Sequence, residues 1–477
     1  MTIPGSGRQT VATTDADVIV VGAGMAGLVL AHDLARAGRR VIVIESAPEV
    51  GGLLRRGTLA GVDIDLGAES FATRTDAVAA LVADARLDLQ LVSPRPQGAW
   101  LAIAGDDAVM RARLPRRTVL GIPADPDAED VVAIIGADGA ARARAEEQTP
   151  VDPDAEPSLY DLVAGRLGER VADRLVDTLC RSVYSRPAAE AQLSHLHPGM
   201  WREFVARGSL LAAADAIATA QRAGAAVGGI EGGMWRLPAA LAQAATRYAA
   251  DIRTGVDVHE VRVDGDAVAV DTASGSLSAP HVVLATGPAE SARLLAGDGA
   301  GVSTRSARST TGGAGVRLVA AAIAHPGLAD EPVGSGVIVG ATLPTAAKAL
   351  THITAKWDWA RAATPDGIHL VRLSARDAGA DTLRTADDVA REVSVLTGLD
   401  ITSDQVADVV AQEWPDAVAG RPTADALPAG IHLAGATAAG TGLASVIPHA
   451  RELAARLDGM LAAPSTSVSS LHTHPVS

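Results

Sequence analysis

The hexapeptide Gly22-Ala23-Gly24-Met25-Ala26-Gly27 carries three glycines at a spacing that suits a diphosphate, and Glu45 follows 18 residues after the last of them (45 − 27). Each glycine has a separate task when such a turn joins a strand to a helix. Gly22 permits the tight turn, Gly24 lets the backbone approach a pyrophosphate, and Gly27 lets helix and strand pack closely. The helix N-terminus adds free N–H groups and a favourable dipole for phosphate charge. A carboxylate at Glu45, ending the next strand, can accept both ribose hydroxyls and disfavours a 2′-phosphate, so the pattern points to a dinucleotide and away from NADP. Other reactive side chains are sparse. Cys180 is the only cysteine, which excludes an internal disulfide, a cysteine-ligated iron–sulfur cluster and a zinc ribbon; in its apolar stretch it reads as a buried, inert thiol. His195 and His197 have no acidic or cysteine companion at ligand spacing, so no metal site is expected. No acid–base triad is found.

These residues need a strand, a turn, a helix and a second strand around them. Asp17 to Val21 is a short apolar run, Ala26 to Ala37 is helix-like and Arg40 to Ile44 is a second apolar run, which together make a β-α-β unit. The Pro, Asp and Gly-rich stretch from Gly105 to Pro157 reads as loops and short strands, and Ser158 to Ala223 as mainly helical. Two alternating runs from Val258 to Val270 flank the turn signal Asp264-Gly265, and Pro280 to Thr286 supplies a strand ending in a Gly-Pro break. Strands are expected again within Val316 to Arg376, a helix over Ala386 to Leu396, and a last ordered unit over Ile431 to Leu457. The tail from Pro464 is expected to be disordered.

Composition bounds the partners. A chain of 477 residues with 48% apolar and 20% charged residues is globular and long enough for two or three domains that could enclose a large cofactor. Its net charge of −15, without a long Lys/Arg run, speaks against nucleic acid. Met1 to Thr14 has no apolar core of signal-peptide length, and no apolar run is long enough to span a bilayer, so a cytoplasmic protein is expected. The apolar balance leaves room for peripheral contact with the inner face of a membrane.

Soon after Glu45-Ser46 come Gly51-Gly52-Leu53-Leu54-Arg55-Arg56 and Asp65-Leu66-Gly67-Ala68-Glu69-Ser70-Phe71. This order resembles the extended FAD signature of the flavin amine oxidase superfamily. Within it, Ala16 to Leu457 resembles the bacterial oxygen-dependent protoporphyrinogen and coproporphyrinogen oxidases of haem synthesis. Leu120-Gly121-Ile122-Pro123, Arg166-Leu167-Gly168, Val183-Tyr184, Gly232-Gly233-Met234 with Leu237-Pro238, Lys356-Trp357, and Leu433-Ala434-Gly435 with Gly440-Thr441-Gly442-Leu443 follow in the family's order. The resemblance implies an α/β fold: a Rossmann-type FAD-binding domain (16–85, 224–300 and 415–460), a discontinuous α+β substrate domain (86–157 and 301–414) and a helical subdomain (158–223), with 1–15 and 461–477 disordered. It implies non-covalent FAD, contacted by the Gly22 to Gly27 loop, Glu45, Ser46, Gly51 to Arg55, Gly67 to Ser70, Val258, Ala285, Thr286, Trp414, Gly435, Ala436, Gly442, Leu443 and Val446.

The implied reaction oxidises a colourless porphyrinogen, coproporphyrinogen III or protoporphyrinogen IX, with dioxygen as acceptor and hydrogen peroxide released. The flavin carries that chemistry and the protein supplies orientation and a dry cavity. Propionates need cations, and Arg111, Arg113, Arg116 and Arg117 are the candidates, because guanidinium forks pair with carboxylates. Four propionates against two would favour coproporphyrinogen. The Lys-Trp match implies Lys356 near the flavin or a propionate, with a lysine merely flanking a buried tryptophan as the plain alternative. Product handover to a ferrochelatase is the implied partnership. Four departures stand out: Leu53 where relatives carry Arg or Lys, Arg186 where Gly is usual, Ala436 where an acid is frequent, and a shortened segment after Trp414-Pro415 that lacks the family's Tyr-x-x-Gly-His stretch. An amine oxidase would need an aromatic cage, and the chain has only three Tyr and two Phe; a carotenoid-type desaturase would need no arginines, and a porphyrin carrier would keep FAD as a relic.

Overall fold

The computed structural model describes residues 14–105, 108–184, 186–220, 227–296, 315–376, 383–415 and 427–463. The tails, most of the segment after Trp414-Pro415 and the side chains of Val183 and Tyr184 lie outside the described residues. The chain opens with β1 (Val18–Val21), α1 (Met25–Arg36) and β2 (Val41–Ile44). Both strands are continuous apolar runs because both of their faces are covered. They lie in a five-stranded parallel sheet whose order is Asp251–Arg253, β2, β1, His281–Leu284, Ile431–Leu433. On one face α1 packs with helices Arg236–Arg247 and Leu443–Ala462. The other face meets the antiparallel sheet Val258–Asp264, Ala267–Thr272, Gly275–Ala279, whose first hairpin turns at Gly265-Asp266, one residue past the Asp264-Gly265 signal.

A second sheet of seven strands runs in the order Val406–Trp414, Val316–Ile323, His369–Arg376, Ala347–His352, Gly336–Val339, Trp100–Ala104, Val109–Arg113. Strand alternation sorts its side chains cleanly. Ala102, Val319, Ala321, Val371 and Leu373 share a core with helix Ala386–Thr397 on one face. Ala320, Ala322 and Leu370 join Ile64, Leu66 and Trp357 on the other, and Leu101 and Ile103 there meet the helices between Val131 and Ala214.

Three expectations need correction. The stretch from Gly105 to Pro157 holds a helix, Glu129–Arg144, broken at Gly136, whose φ of 74° and ψ of 167° are non-helical. A break in mid-helix and an alanine-rich sequence conceal the apolar period that would announce it. Part of the helical region is π-helical, over Ala172–Asp177 and Cys180–Tyr184. Asp15, assigned to a disordered terminus, accepts from the Ser278 N–H at 2.8 Å. Among the described residues no helix is long and apolar enough to cross a membrane.

Histidines are built into these cores in their neutral form. Burial, then neighbouring His281 and Arg456, hold His432 down at about 4. Burial, then His369, Arg361 and Arg95, hold His352 down at about 3, and among the described residues neither of its ring nitrogens has a hydrogen-bond partner. Each folded value lies below the unfolded one, so their stability contribution is lost as pH falls from about 6.5. At pH 5, His352 alone should cost about 2 kcal/mol. Chemical denaturation at pH 7 and pH 5 checks this; His352→Gln, which does not titrate, should flatten the difference, and an unchanged slope would locate acid sensitivity elsewhere.

Candidate functional site

The sheet order reverses between β1 and His281–Leu284, and open α/β sheets leave a ligand crevice beyond the strand ends at such a point. Gly22 sits there with φ 103°, and a β-carbon on it would lie 2.9 Å from the Ala285 carbonyl oxygen. One on Gly27 would lie 2.0 Å from the Gly22 carbonyl oxygen. Those two glycines serve the protein's own packing. Gly24 differs: it has extended backbone (φ −72°, ψ 180°) and caps α1 without a side-chain hydrogen bond, and a β-carbon there would meet nothing within 4 Å among the described residues. Its open face, beside the free N–H groups of the first turn of α1, is the cradle an anion needs.

Neighbouring loops close round this cradle. The Gly51 N–H donates to the Ala23 carbonyl at 2.9 Å, and a β-carbon on Gly52 would crowd Gly24 Cα at 3.3 Å. Glu45 accepts from the Ala23 N–H at 2.7 Å and the Ala47 N–H at 2.9 Å, one through each carboxylate oxygen. A carboxylate offers about four lone-pair sites, so both oxygens keep capacity for ribose hydroxyls while their direction is set. Ser46 is exposed, Met25 and Ala26 are buried in α1, and Leu54 is buried between exposed Leu53 and half-buried Arg55. Across the crevice, the Thr437 hydroxyl donates to the Thr286 carbonyl at 3.0 Å. A β-carbon on Gly435 would reach the Ala26 side chain at 3.6 Å, whereas ones on Gly440 and Gly442 would meet nothing within 4 Å among the described residues. Ala436 begins the short helix Ala436–Ala439; Gly442 caps the helix that carries Leu443 and buried Val446. Val258 is buried, and its carbonyl accepts from Arg293 at 2.8 Å.

The loop from Asp65 to Ser70 forms a further wall, and it is held by residues far away in sequence. The Arg372 guanidinium donates to the carbonyls of Gly67 at 2.6 Å and Asp65 at 3.2 Å. The Trp414 indole donates to the Leu66 carbonyl at 2.8 Å. The Asp65 carboxylate accepts the N–H groups of Met234 and Trp235, both at 2.9 Å. Burial raises Asp65 to about 6 against the pull of those two hydrogen bonds and Arg372. Gly67 is required sterically, since a β-carbon would lie 1.8 Å from the Leu53 carbonyl oxygen. Glu69 then meets Lys356 Nζ at 2.6 Å, the Thr351 hydroxyl at 3.3 Å and Arg372 at 3.5 Å. Burial alone would raise Glu69, but Lys356 and Arg372 overcome it and hold the carboxyl at about 2. Lys356 also lies 5.3 Å from the Trp357 ring centroid, a cation–π distance. At neutral pH Glu69 is therefore a carboxylate between two cations, and Asp65, largely ionised above about 6, adds a second carboxylate beside Arg372.

The arginine cluster read from the sequence is dispersed, which corrects the expectation of one propionate-binding wall. Arg111 pairs in register with Ala102, whose side chain belongs to the core under helix Ala386–Thr397. Strand parity thus turns Arg111 and Arg113 to the face opposite Arg372 and Glu69. Arg111 donates to the Val395 and Leu396 carbonyls at 2.6 and 3.1 Å, closing that helix's C-terminus. Arg113 lies over Trp100, 5.7 Å from the ring centroid. Arg116 is exposed and contributes its backbone N–H to Asp130; exposed Arg117 pairs with Asp215. His197 accepts the Met200 N–H as a helix cap, and Cys180 is buried with its thiol pushed up to about 12 by burial and Asp177.

Sequence reasoning missed Arg372 and Thr351 and left Asp65 outside its set of site residues. A signal for Arg372 existed: in His369–Arg376 it shares a face with buried Leu370, where a charge needs a partner.

The residues present fit a flavin dinucleotide: an open glycine cradle, an oriented ribose-height carboxylate and a second helix N-terminus facing free space. A family model described as flavin containing amine oxidoreductase matches residues 25–420. A coproporphyrinogen III oxidase of Mycobacterium leprae is 30% identical over 420 residues, 85% of this chain and 88% of the relative. Among solved structures, a protein of Exiguobacterium sp. 255-15 provisionally named a protoporphyrinogen oxidase matches with a TM-score of 0.76 at 19% identity, covering 94% of this chain and all of that one. Cyclohexylamine oxidase from Brevibacterium oxydans IH-35A matches with 0.61 at 16% identity, covering 94% and 99%. Both structural likenesses speak for the fold.

Proposed function

The chain belongs to the flavin-containing amine oxidoreductase family, and from that footing we propose that it is an FAD-dependent oxidase converting coproporphyrinogen III to coproporphyrin III. Six hydrogens leave the macrocycle and three dioxygen molecules become three of hydrogen peroxide, so atoms and electrons balance. The observation that carries the substrate is the relation to the M. leprae coproporphyrinogen III oxidase across nearly the whole of both chains; the dispersed arginines contribute nothing to it. When bound, FAD supplies the hydride-accepting and dioxygen-reducing chemistry.

This chain's own residues bind and orient. The backbone around Gly24 and the N-terminus of α1 would take the pyrophosphate, Glu45 would take the ribose, and the N-terminus of helix Leu443–Ala462 would offer N–H groups to the redox ring. The loop carrying Gly67, Ala68 and Glu69 would border the same ring, and Arg372 and Trp414 hold that loop in place. Lys356, held on Glu69 at 2.6 Å, would offer its ammonium as a hydrogen-bond donor near the reacting centre.

The test is oxygen uptake and porphyrin fluorescence with coproporphyrinogen and protoporphyrinogen side by side. Coproporphyrinogen should be consumed at least as fast, with peroxide formed. Exclusive turnover of protoporphyrinogen would refute the substrate, and porphyrin binding without oxygen uptake would make the protein a carrier.

A further inference from the structure

Lys356 ends the one-turn helix Ile353–Lys356, too short to hold its own direction. What fixes it is a second charged cluster on the side away from Glu69. The Arg95 N–H donates to the Lys356 carbonyl at 2.9 Å, and the Arg95 guanidinium reaches the Ala355 carbonyl at 3.4 Å. That guanidinium lies against Asp358 at 3.2 Å and, closer, against Glu331. Glu331 also takes Arg361 at 2.9 Å, from the helix that follows Lys356-Trp357. One carboxylate thus ties the arginines on both flanks of the Lys356 turn, and it is only 15% exposed.

Its backbone makes the choice of residue informative. Glu331 has φ +50°, the left-handed region that favours glycine, in a turn whose Gly334 N–H donates to the Glu331 carbonyl at 2.8 Å. Glycine would suit that turn better. A glutamate held there against its conformational preference indicates that the carboxylate is needed.

We propose that Glu331 is a positioning residue: through Arg95 and Arg361 it sets the direction of the Lys356 turn and so keeps the ammonium on Glu69. The inference rests on the reading that Lys356 works beside the flavin, but its test reads the lysine directly. Lys348 and Lys356 are the only lysines in the chain. Acetic anhydride labelling of the holoprotein, followed by peptide mass spectrometry, therefore gives a Lys356 to Lys348 rate ratio. In Glu331→Gly the ratio should rise roughly tenfold, the equivalent of one charge-assisted hydrogen bond, while flavin reduction by substrate slows. Glu331→Gln, which keeps side-chain length and loses charge, should fall between the two. If Glu331 serves only its turn, glycine is the better residue and both variants keep the wild-type ratio, which overturns the proposal. Should Glu331→Gly fail to fold, the glutamine variant decides alone. Failure of coproporphyrinogen turnover in the wild type would refute the substrate and leave this ratio untouched.

Discussion

Gly24→Val should give a folded protein that no longer holds flavin. The backbone at Gly24 is extended, a conformation valine adopts without strain, and its β-carbon would enter space free of atoms of the described residues. Only a ligand drawn up against that backbone would meet it. Loss of two charge-assisted hydrogen bonds to phosphate, at about 1.5 kcal/mol each, raises the dissociation constant more than about a hundredfold. Gly27→Ala is the contrast, because its β-carbon would lie 2.0 Å from the Gly22 carbonyl oxygen; that variant should lose the fold of the turn. The measurements are the flavin absorbance of the purified protein and its circular dichroism. A yellow Gly24→Val protein would move the pyrophosphate elsewhere.

Removing Glu69 should have the largest effect on stability. Lys356 is 15% and Arg372 11% exposed at the side chain, and both rely on this carboxylate. Breaking a buried pair strands the remaining charge at a cost of about 3–5 kcal/mol. Glu69→Ala should show that loss by denaturation at pH 7, and adding Lys356→Met should recover part of it, because the stranded ammonium goes too. Strict additivity of the two substitutions would mean the pair is not coupled. The pH dependence follows from the depressed carboxyl: its contribution is present above about 4.5 and disappears as pH falls through about 2. Asp65 has the opposite sign, since its raised value makes ionisation unfavourable as pH climbs through about 6.

Local chemistry was readable from the chain and long-range pairing was not. The Gly22 to Gly27 turn, β1, α1, β2 and Glu45 lie within 29 consecutive residues (17 to 45), and their geometry follows from spacing alone. The Asp264-Gly265 hairpin was equally local. The arginines between Arg111 and Arg117 misled because a count of guanidinium groups ignores strand parity: which face Arg111 takes depends on the register of its strand against Trp100–Ala104. The strand face of Arg372 was readable, but its partners were hidden for the complementary reason. Its partners Asp65, Gly67 and Glu69 are about 300 residues away along the chain, and no periodicity records such a meeting. Glu331 was passed over because a left-handed backbone at a glutamate leaves no mark in composition.

The parallel sheet that lines the crevice is assembled from strands at residues 18–21, 41–44, 251–253, 281–284 and 431–433. A ribosome delivers these in order, so β1 and β2 emerge early but their outer neighbours arrive after most of the chain. Pairing across such separations is slow, because loop closure must be met before contacts reward it. The glycine cradle is complete in the first tenth of synthesis, yet its far wall, the Gly435 to Leu443 segment, is among the last parts made. During translation the early β-α-β unit must wait with apolar strand edges uncovered, the state most exposed to aggregation. Flavin capture is therefore a late event in the life of the nascent chain, and flavin supply should govern how much of the finished protein stays folded and not how fast its first domain forms.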